Sequence, residues 1–450
     1  MRRISRVAAA ALALSAMTHA SSRAQVPTSS TYPIDLATAL RLADAQNLDV
    51  QIARERAKEA LANRSSAIEA FIPWLAPGVT WHRRDGVAQA SPSGIIGNAD
   101  YVGYSPGFGL NAQSGLGDAI YNSLATKQLV RASNEGLAAL RLDAAGQAAN
   151  GYLELAKAKA LVEVVRDALA TSEEYQRQLH EAVGIGIAFK GDELRVQAQS
   201  QHYQVLLRQA LSQQRVAAVD LARILHLDAS VELTPQAGDL VPIVLFDSTV
   251  TVQSLVGRAV QSRPEMRQND ALIAAGKTAR DAAVYGPLVP TVGAQLFGGW
   301  FGGGPDSASR RVAAMRDYAL AVTWRIGPGG LFDRGRIDAT KAQLAARELN
   351  ATKVKDGIAA EVVAGLTRIR ALSDQIAISE QALGTATQTL QLTRDRKQFG
   401  VGIVLEDIQA QQAVTQARSD YITAIAEFNK AQFALNKAVG GSTSNAIPRP

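Results

Sequence analysis

Two pairs of carboxylates stand out in this chain by position. Asp192 and Glu193 follow the run Val183-Gly184-Ile185-Gly186-Ile187; Glu406 and Asp407 follow Phe399-Gly400-Val401-Gly402-Ile403. Acids placed just after a glycine turn have two uses. At the start of a helix they offset the positive end of its dipole; repeated around a pore axis they form a constriction that attracts cations. The glycines also have two readings, as the C-cap of a helix or as a reversal that lets another backbone approach closely. Catalytic residues are missing. His19, His82, His180, His202 and His226 show no metal-ligand spacing. Gly107-Phe108-Gly109 with Ala112 fits a dinucleotide fingerprint only loosely, since it leads into a strand return. There is no Walker loop, nucleophile elbow or catalytic carboxylate pair. The residues predict no enzyme, no metal and no cofactor.

The glycine runs are part of a larger duplication. They lie 216 residues apart, and each is followed by Gln-Ala-Gln (197–199 and 409–411). The same offset carries Gln46-Asn47-Leu48-Asp49-Val50 onto Ser262-Arg263-Pro264-Glu265-Met266, and one residue more carries Phe71-Ile72-Pro73 onto Leu288-Val289-Pro290. A period this long is a duplicated half-molecule rather than a stacked solenoid unit.

The amino terminus reads as an export signal over residues 1–24. Arg2, Arg3 and Arg6 precede an apolar run, followed by small-residue cleavage sites at Ala20 or Ala24. Its removal takes four arginines from 47 basic groups, leaving 43 against 41 acids, so the net charge falls from +6 to +2. The basic precursor is therefore no argument for nucleic acid. The chain has no cysteine, hence no disulfide framework. No later apolar stretch is long enough for a membrane helix, so any crossing of a bilayer would be made by strands.

Most of the mature sequence is built from helix formers. Leu155, Val162 and Leu169 stand seven apart, as do Ile376, Leu383 and Leu390, which are coiled-coil seams. Between the helices the pattern changes to period two. Val292, Ala294, Leu296, Gly298 and Trp300 alternate with smaller or polar residues, and Tyr318, Leu320, Val322, Trp324 and Ile326 do the same on the return. Leu75, Val79 and Trp81, with Phe108, Leu110 and Ala112, form a weaker copy. Apolar outside, polar inside, with Trp81, Trp300, Tyr318 and Trp324 as an aromatic girdle, is the pattern of barrel strands in lipid. Four strands cannot enclose a lumen and an open edge is not viable in lipid, so strands from several copies must combine. A soluble hairpin packed on the helices fits the alternation equally well.

The chain resembles the TolC family of bacterial outer-membrane efflux and secretion proteins. The motifs are Leu36-Ala37-Thr38-Ala39-Leu40 with Asn47-Leu48-Asp49-Val50; Arg263-Pro264-Glu265-Met266; the Ile72-Pro73 and Leu288-Val289-Pro290 junctions; Gly327-Pro328-Gly329-Gly330-Leu331-Phe332-Asp333-Arg334-Gly335-Arg336; and the last helix from Ala410 to Gly440. The resemblance implies a mainly α fold with membrane β and internal duplication. A homotrimer would share a 12-stranded barrel, four strands per protomer, above a long coiled-coil tunnel in the periplasm. It implies an outer-membrane location and a passive exit duct. A periplasmic membrane-fusion adaptor and an inner-membrane transporter of RND, ABC or MFS type would feed it. A type I protein-secretion duct and, in a different class, a soluble periplasmic coiled-coil scaffold remain alternatives. The tips Ile185, Gly186, Ile187 and Val401, Gly402, Ile403 would meet the adaptor, and Asp192, Glu193, Glu406 and Asp407 are the aperture candidates. The expected organisation is a first repeat over 25–230 (helix 36–70, strands 74–84 and 106–116, long helix 119–182, tip 183–191, helix 192–227) and a connecting, equatorial segment over 231–250. A second repeat follows over 251–440 (helix 252–285, strands 291–301 and 317–326, long helix 335–398, tip 399–405, helix 406–439), then a tail over 441–450.

Overall fold

The structure is a computed structural model that describes residues 31–72, 74–84, 86–89, 96–98, 101–228, 230–236, 240–247, 249–304, 312–398 and 403–441. The expected signal segment, the glycines of the second tip and residues 442–450 lie outside them.

The first repeat opens with β1 (Thr31–Ile34) and α1 (Leu36–Gln46). The Asp35 carboxylate caps α1, accepting from the Thr38 N–H at 2.9 Å. One helix over 36–70 was expected; the structure breaks it at Asn47, where α2 (Leu48–Glu69) begins. The Asn47 side-chain oxygen accepts from the N–H groups of Asp49 and Val50, while its amide donates to the Ile224 carbonyl. One side chain thus starts one helix and closes another. The single helix expected over 252–285 breaks likewise into α5 (Val252–Ser262) and α6 (Pro264–Tyr285). Pro264 has no N–H to lose at the first helical position.

The strands come next in each repeat: β2 (Trp74–Arg84), the short pair β3 (Val87–Gln89) and β4 (Ile96–Asn98), and β5 (Tyr101–Gly115) in the first, and β7 (Thr291–Gly304) and β8 (Val312–Thr323) in the second. β3 and β4 pair only with each other, and the four long strands form one antiparallel sheet in the order β2-β5-β7-β8, so β5 and β7 join the two repeats and β2 and β8 are open edges. The register places Leu75, Leu110, Leu296 and Tyr318 in one row and Ala112, Ala294 and Leu320 in another. The alternate face carries Asn111, Gln295 and Ala319, and Gln113, Gly293 and Ala321. One face is therefore mainly apolar, apart from Arg316 opposite Gly298, and the other mainly small and polar, apart from Phe297 opposite Gly109. The packed-hairpin reading is overturned: Val79, Phe108, Leu320 and Val322 are exposed rather than covered by helices. β8 begins five residues before the expected start and ends at Thr323, leaving Trp324 and Ile326 beyond the strand.

Below the sheet run two rods of roughly 100 Å each, α3 (Leu116–Gly184) and α7 (Arg334–Gln398). Each is followed by a 35-residue helix, α4 (Lys190–Ile224) after α3 and α8 (Val404–Ala438) after α7. Alanine carries much of the packing. Ala148, Ala149, Ala217, Ala218 and Ala222 are buried with Leu153, Leu155, Leu221 and Phe433 where α1, α3, α4 and α8 meet, and a second core joins Leu255, Val362, Leu366, Ile369, Phe428 and Leu435. β6 (Glu232–Pro235) pairs in parallel with β1. The segment after it is held on α8 by two fully buried amides. Asn429 accepts from the Ile243 N–H and donates to the Val241 carbonyl, and Gln432 accepts from Leu245 and Phe246.

Candidate functional sites at the tips and on the sheet

The first tip is a helix stop followed at once by a helix start. At the end of α3 the Ile187 N–H donates to the Ala182 carbonyl and the Gly186 N–H to that of Val183, both at 3.0 Å, with Gly186 at φ +79°. This is the Schellman ending, and Gly186 stands where the left-handed residue must be. The turn projects Ile185, Ile187 and Phe189 into solvent, each about three-quarters exposed. Phe189, the N-cap of α4, offers no side-chain cap. Its uncapped position just before an acid-rich helix start was the sequence signal for a third exposed apolar residue, which the glycine motif alone does not reveal. At the second tip Ile403 is exposed, while Val401 and Gly402 lie outside the described residues.

Counting from the N-caps Phe189 and Ile403, rather than from the glycines, brings the four acids into register. Asp192 and Glu406 share one helical position, Glu193 and Asp407 the next. Burial follows that register. Glu193 and Asp407 are buried; Asp192 and Glu406 are partly exposed and each meets an arginine, Asp192 with Arg195 at 2.9 Å and Glu406 with Arg396 at 3.3 Å. Glu193 receives Lys190 Nζ at 2.6 Å and faces His180 Nδ1 at 2.9 Å. The hydrogen bonds from Lys190 and then His180 hold its carboxyl below the usual glutamate value. Asp407 accepts from Gln411 Nε2 at the long distance of 3.4 Å.

The structure brings two of these acids, Asp192 and Asp407, to one place. The phenol of buried Tyr175, on α3, is pushed well above its ordinary value by burial first, then by the charges of Asp407 and Asp192. Tyr175 packs with Leu179, Val196 and Ile408, so α3, α4 and α8 meet in a small apolar knot just above the tips. Glu406 lies outside that group and points to α7 through Arg396.

On the sheet, Trp81, Trp300, Tyr318 and Trp324 are all exposed. Trp324 is at the helix end, its indole N–H donating to the Leu288 carbonyl at 3.2 Å. Trp81 pairs with Tyr104 and Trp300 with Ala314, both near the far end of the sheet. At about 3.3 Å per residue and a barrel tilt near 40°, the two levels stand roughly 25 Å apart. Tyr318 pairs with Leu296 midway between the two levels. Gly107 lies in β5 opposite Gly299, where an added Cβ would overlap Phe297 and the neighbouring backbone. Gly107 of the loose dinucleotide pattern thus serves close strand packing.

Residues 255–441, most of the second repeat, match the sequence model of the outer membrane efflux protein family. Comparison with curated protein sequences gives no match. Among solved structures, the outer membrane protein VceC of Vibrio cholerae is 18% identical; the match covers 90% of this chain and 96% of that one, with a TM-score of 0.73. The CmeC outer membrane channel of Campylobacter jejuni is 15% identical over 90% and 85% of the two chains, TM-score 0.75. The open state of the MtrE outer membrane channel of Neisseria gonorrhoeae is 18% identical over 90% and 89%, TM-score 0.71. The second repeat of this chain is therefore similar to the outer membrane efflux protein family, and the chain as a whole has the fold of these outer-membrane channels.

Proposed function

We propose that the chain is the outer-membrane exit duct of a tripartite efflux system, a homotrimer that conducts substrate passively from a periplasmic adaptor and inner-membrane pump to the exterior. The observation that carries this reading is the four-stranded sheet, with both edges open, one apolar face uncovered and 25 Å between its tryptophan levels. In lipid such an edge is untenable until neighbouring copies close it. A water-soluble scaffold would leave the same apolar face facing water. The exposed apolar tip residues Ile185, Ile187, Phe189 and Ile403 supply the adaptor contact. Asp192 and Glu406 supply the cation-attracting ring at the tip aperture, whereas Glu193 and Asp407 hold the helix starts in place. The long rods need no catalysis to do this; the pump supplies the energy.

Single-channel conductance of the purified protein in planar bilayers tests the reading. Asp192→Asn with Glu406→Gln should lower cation selectivity while leaving the channel intact; unchanged selectivity removes the ring from those two residues. Absence of any conductance from well-folded protein overturns the duct.

A further inference from the structure

The turn that leads from β8 into α7 is built as if something covers it. Phe332 is 80% exposed and has φ +67°, a conformation that a bulky side chain rarely adopts. The turn is nonetheless rigid. Gly327 donates to the Leu331 carbonyl, Gly330 to Gly327, and Leu331 to Arg325, while the Asp333 carboxylate accepts from the N–H groups of Gly329 and Arg336. Gly330 has no room for a Cβ, which would lie 2.1 Å from the Arg325 carbonyl oxygen. A loop locked this firmly does not expose Phe332 by accident. Ile326 beside it is also exposed, and so are Trp324, Leu288 and Ile72 around the same end of the sheet. Trp324 and Ile326 continue the even-numbered apolar side of β8, on which Tyr318, Leu320 and Val322 stand. Arg334, just past the turn, is exposed, whereas Arg325 falls on the odd-numbered side with Thr323 and Gln113, and Arg336 is paired with Asp118 at 3.0 Å.

We propose that the Gly327–Asp333 turn is a membrane-interface anchor, which seats Phe332 and Ile326 at the headgroup–acyl boundary of the helix-side leaflet while Arg334 binds lipid phosphate. The occupant follows from continuity with the apolar sheet face and from Arg334, whose charge matches anionic headgroups. The inference rests on the membrane-channel reading. Its geometry is particular: Phe332 lies shallow, Leu320 deep, and the body of α7 in water.

Because the chain contains no cysteine, single nitroxide labels can be placed cleanly through Phe332→Cys, Leu320→Cys and Leu349→Cys. The last of these is an exposed position along α7. The full-length variants are reconstituted in phosphatidylethanolamine–phosphatidylglycerol vesicles, and label collisions with oxygen and with a water-soluble nickel chelate are measured. The label from Phe332→Cys should favour oxygen over nickel, less strongly than that from Leu320→Cys, and the label from Leu349→Cys should favour nickel. Adding Arg334→Gln should move the Phe332→Cys label towards nickel; no movement overturns the phosphate contact. A Phe332→Cys label that matches Leu349→Cys, with Leu320→Cys still in lipid, overturns the anchor and leaves the channel standing. Shielding from both reagents places the turn against a neighbouring copy and also overturns it. If Leu320→Cys itself meets nickel freely, the membrane reading fails with it.

Discussion

The two helical hairpins come from a duplicated sequence, yet only one of them holds itself together near its tip. In the α3–α4 arm Tyr175 and Leu179 are buried with Val196. A fully enclosed Ser172–Ser200 hydrogen bond of 2.9 Å lies above them, and Gln204 reaches Glu173. Lys190 and His180 then close the end on Glu193. In the α7–α8 arm, α8 buries Asp407, Ile408, Ala410 and Gln411, but Ile408 joins the knot formed with α3 and α4. Among the described residues, α7 buries none after Ser379. The two heptad seams show the same contrast. Leu155 and Val162 are buried, whereas Ile376, Leu383 and Leu390 are only partly covered and Ile378 and Leu392 are exposed. At the tip α7 meets α8 through the Arg396–Glu406 pair. The last five turns of α7 are therefore less packed than the matching turns of α3, and local opening is easier where packing is sparse.

This contrast can be broken in steps. The largest effect should come from the shared knot. Ile408→Ala removes buried methylenes where three helices meet and should cost about 2–4 kcal/mol. Hydrogen exchange should then quicken at the starts of both α4 and α8, since the knot serves both; a change confined to α8 would show that the arms are independent. In the wild-type protein, amides of 380–396 should exchange faster than those of 166–182, and equal protection would erase the asymmetry.

A moderate effect should follow from pH. The folded-state value of Glu193 lies below its ordinary 4.5. The stabilisation it gives is complete above that ordinary value and is lost as pH falls through the lower folded one. Protection at the first tip should thus drop below about pH 4.5, and Glu193→Gln should abolish that pH dependence without affecting residues 380–396. The smallest effect belongs to Arg396→Ala. An exposed ion pair contributes about 0.2–1 kcal/mol, so exchange should rise in the last turns of α7 with thermal stability nearly unchanged. A large fall in stability would mean that the pair does more than tether an end.

Period-two alternation made the sheet legible in the sequence: residues 292, 294 and 296 face 322, 320 and 318 directly across the ladder. The early start of β8 was not legible, because Val312-Ala313-Ala314-Met315 does not alternate and Arg316 falls on the apolar side opposite Gly298. Nor was the break at Asn47. Asparagine is a favoured helix start, and its oxygen caps Asp49 and Val50 locally, but the hold of its amide on the Ile224 carbonyl, 177 positions away, could not be read from the sequence. The tip acids were found by type and position, but their division into buried and exposed was hidden. Neighbouring helical positions point about 100° apart, and which of the two faces inward depends on where the other arm lies. Counting from the glycines obscured the equivalence of Asp192 with Glu406; counting from the helix starts reveals it.

Closure of the barrel by neighbouring copies is the claim on which the account rests, and crosslinking across the open edges tests it most directly. Cysteine pairs combining Val79→Cys or Trp81→Cys on β2 with Leu320→Cys or Val322→Cys on β8, oxidised in native membranes, should give covalent dimers and trimers in at least one register, and no larger species. A chain that stays monomeric across all four pairs, or forms an open ladder beyond the trimer, would contradict it.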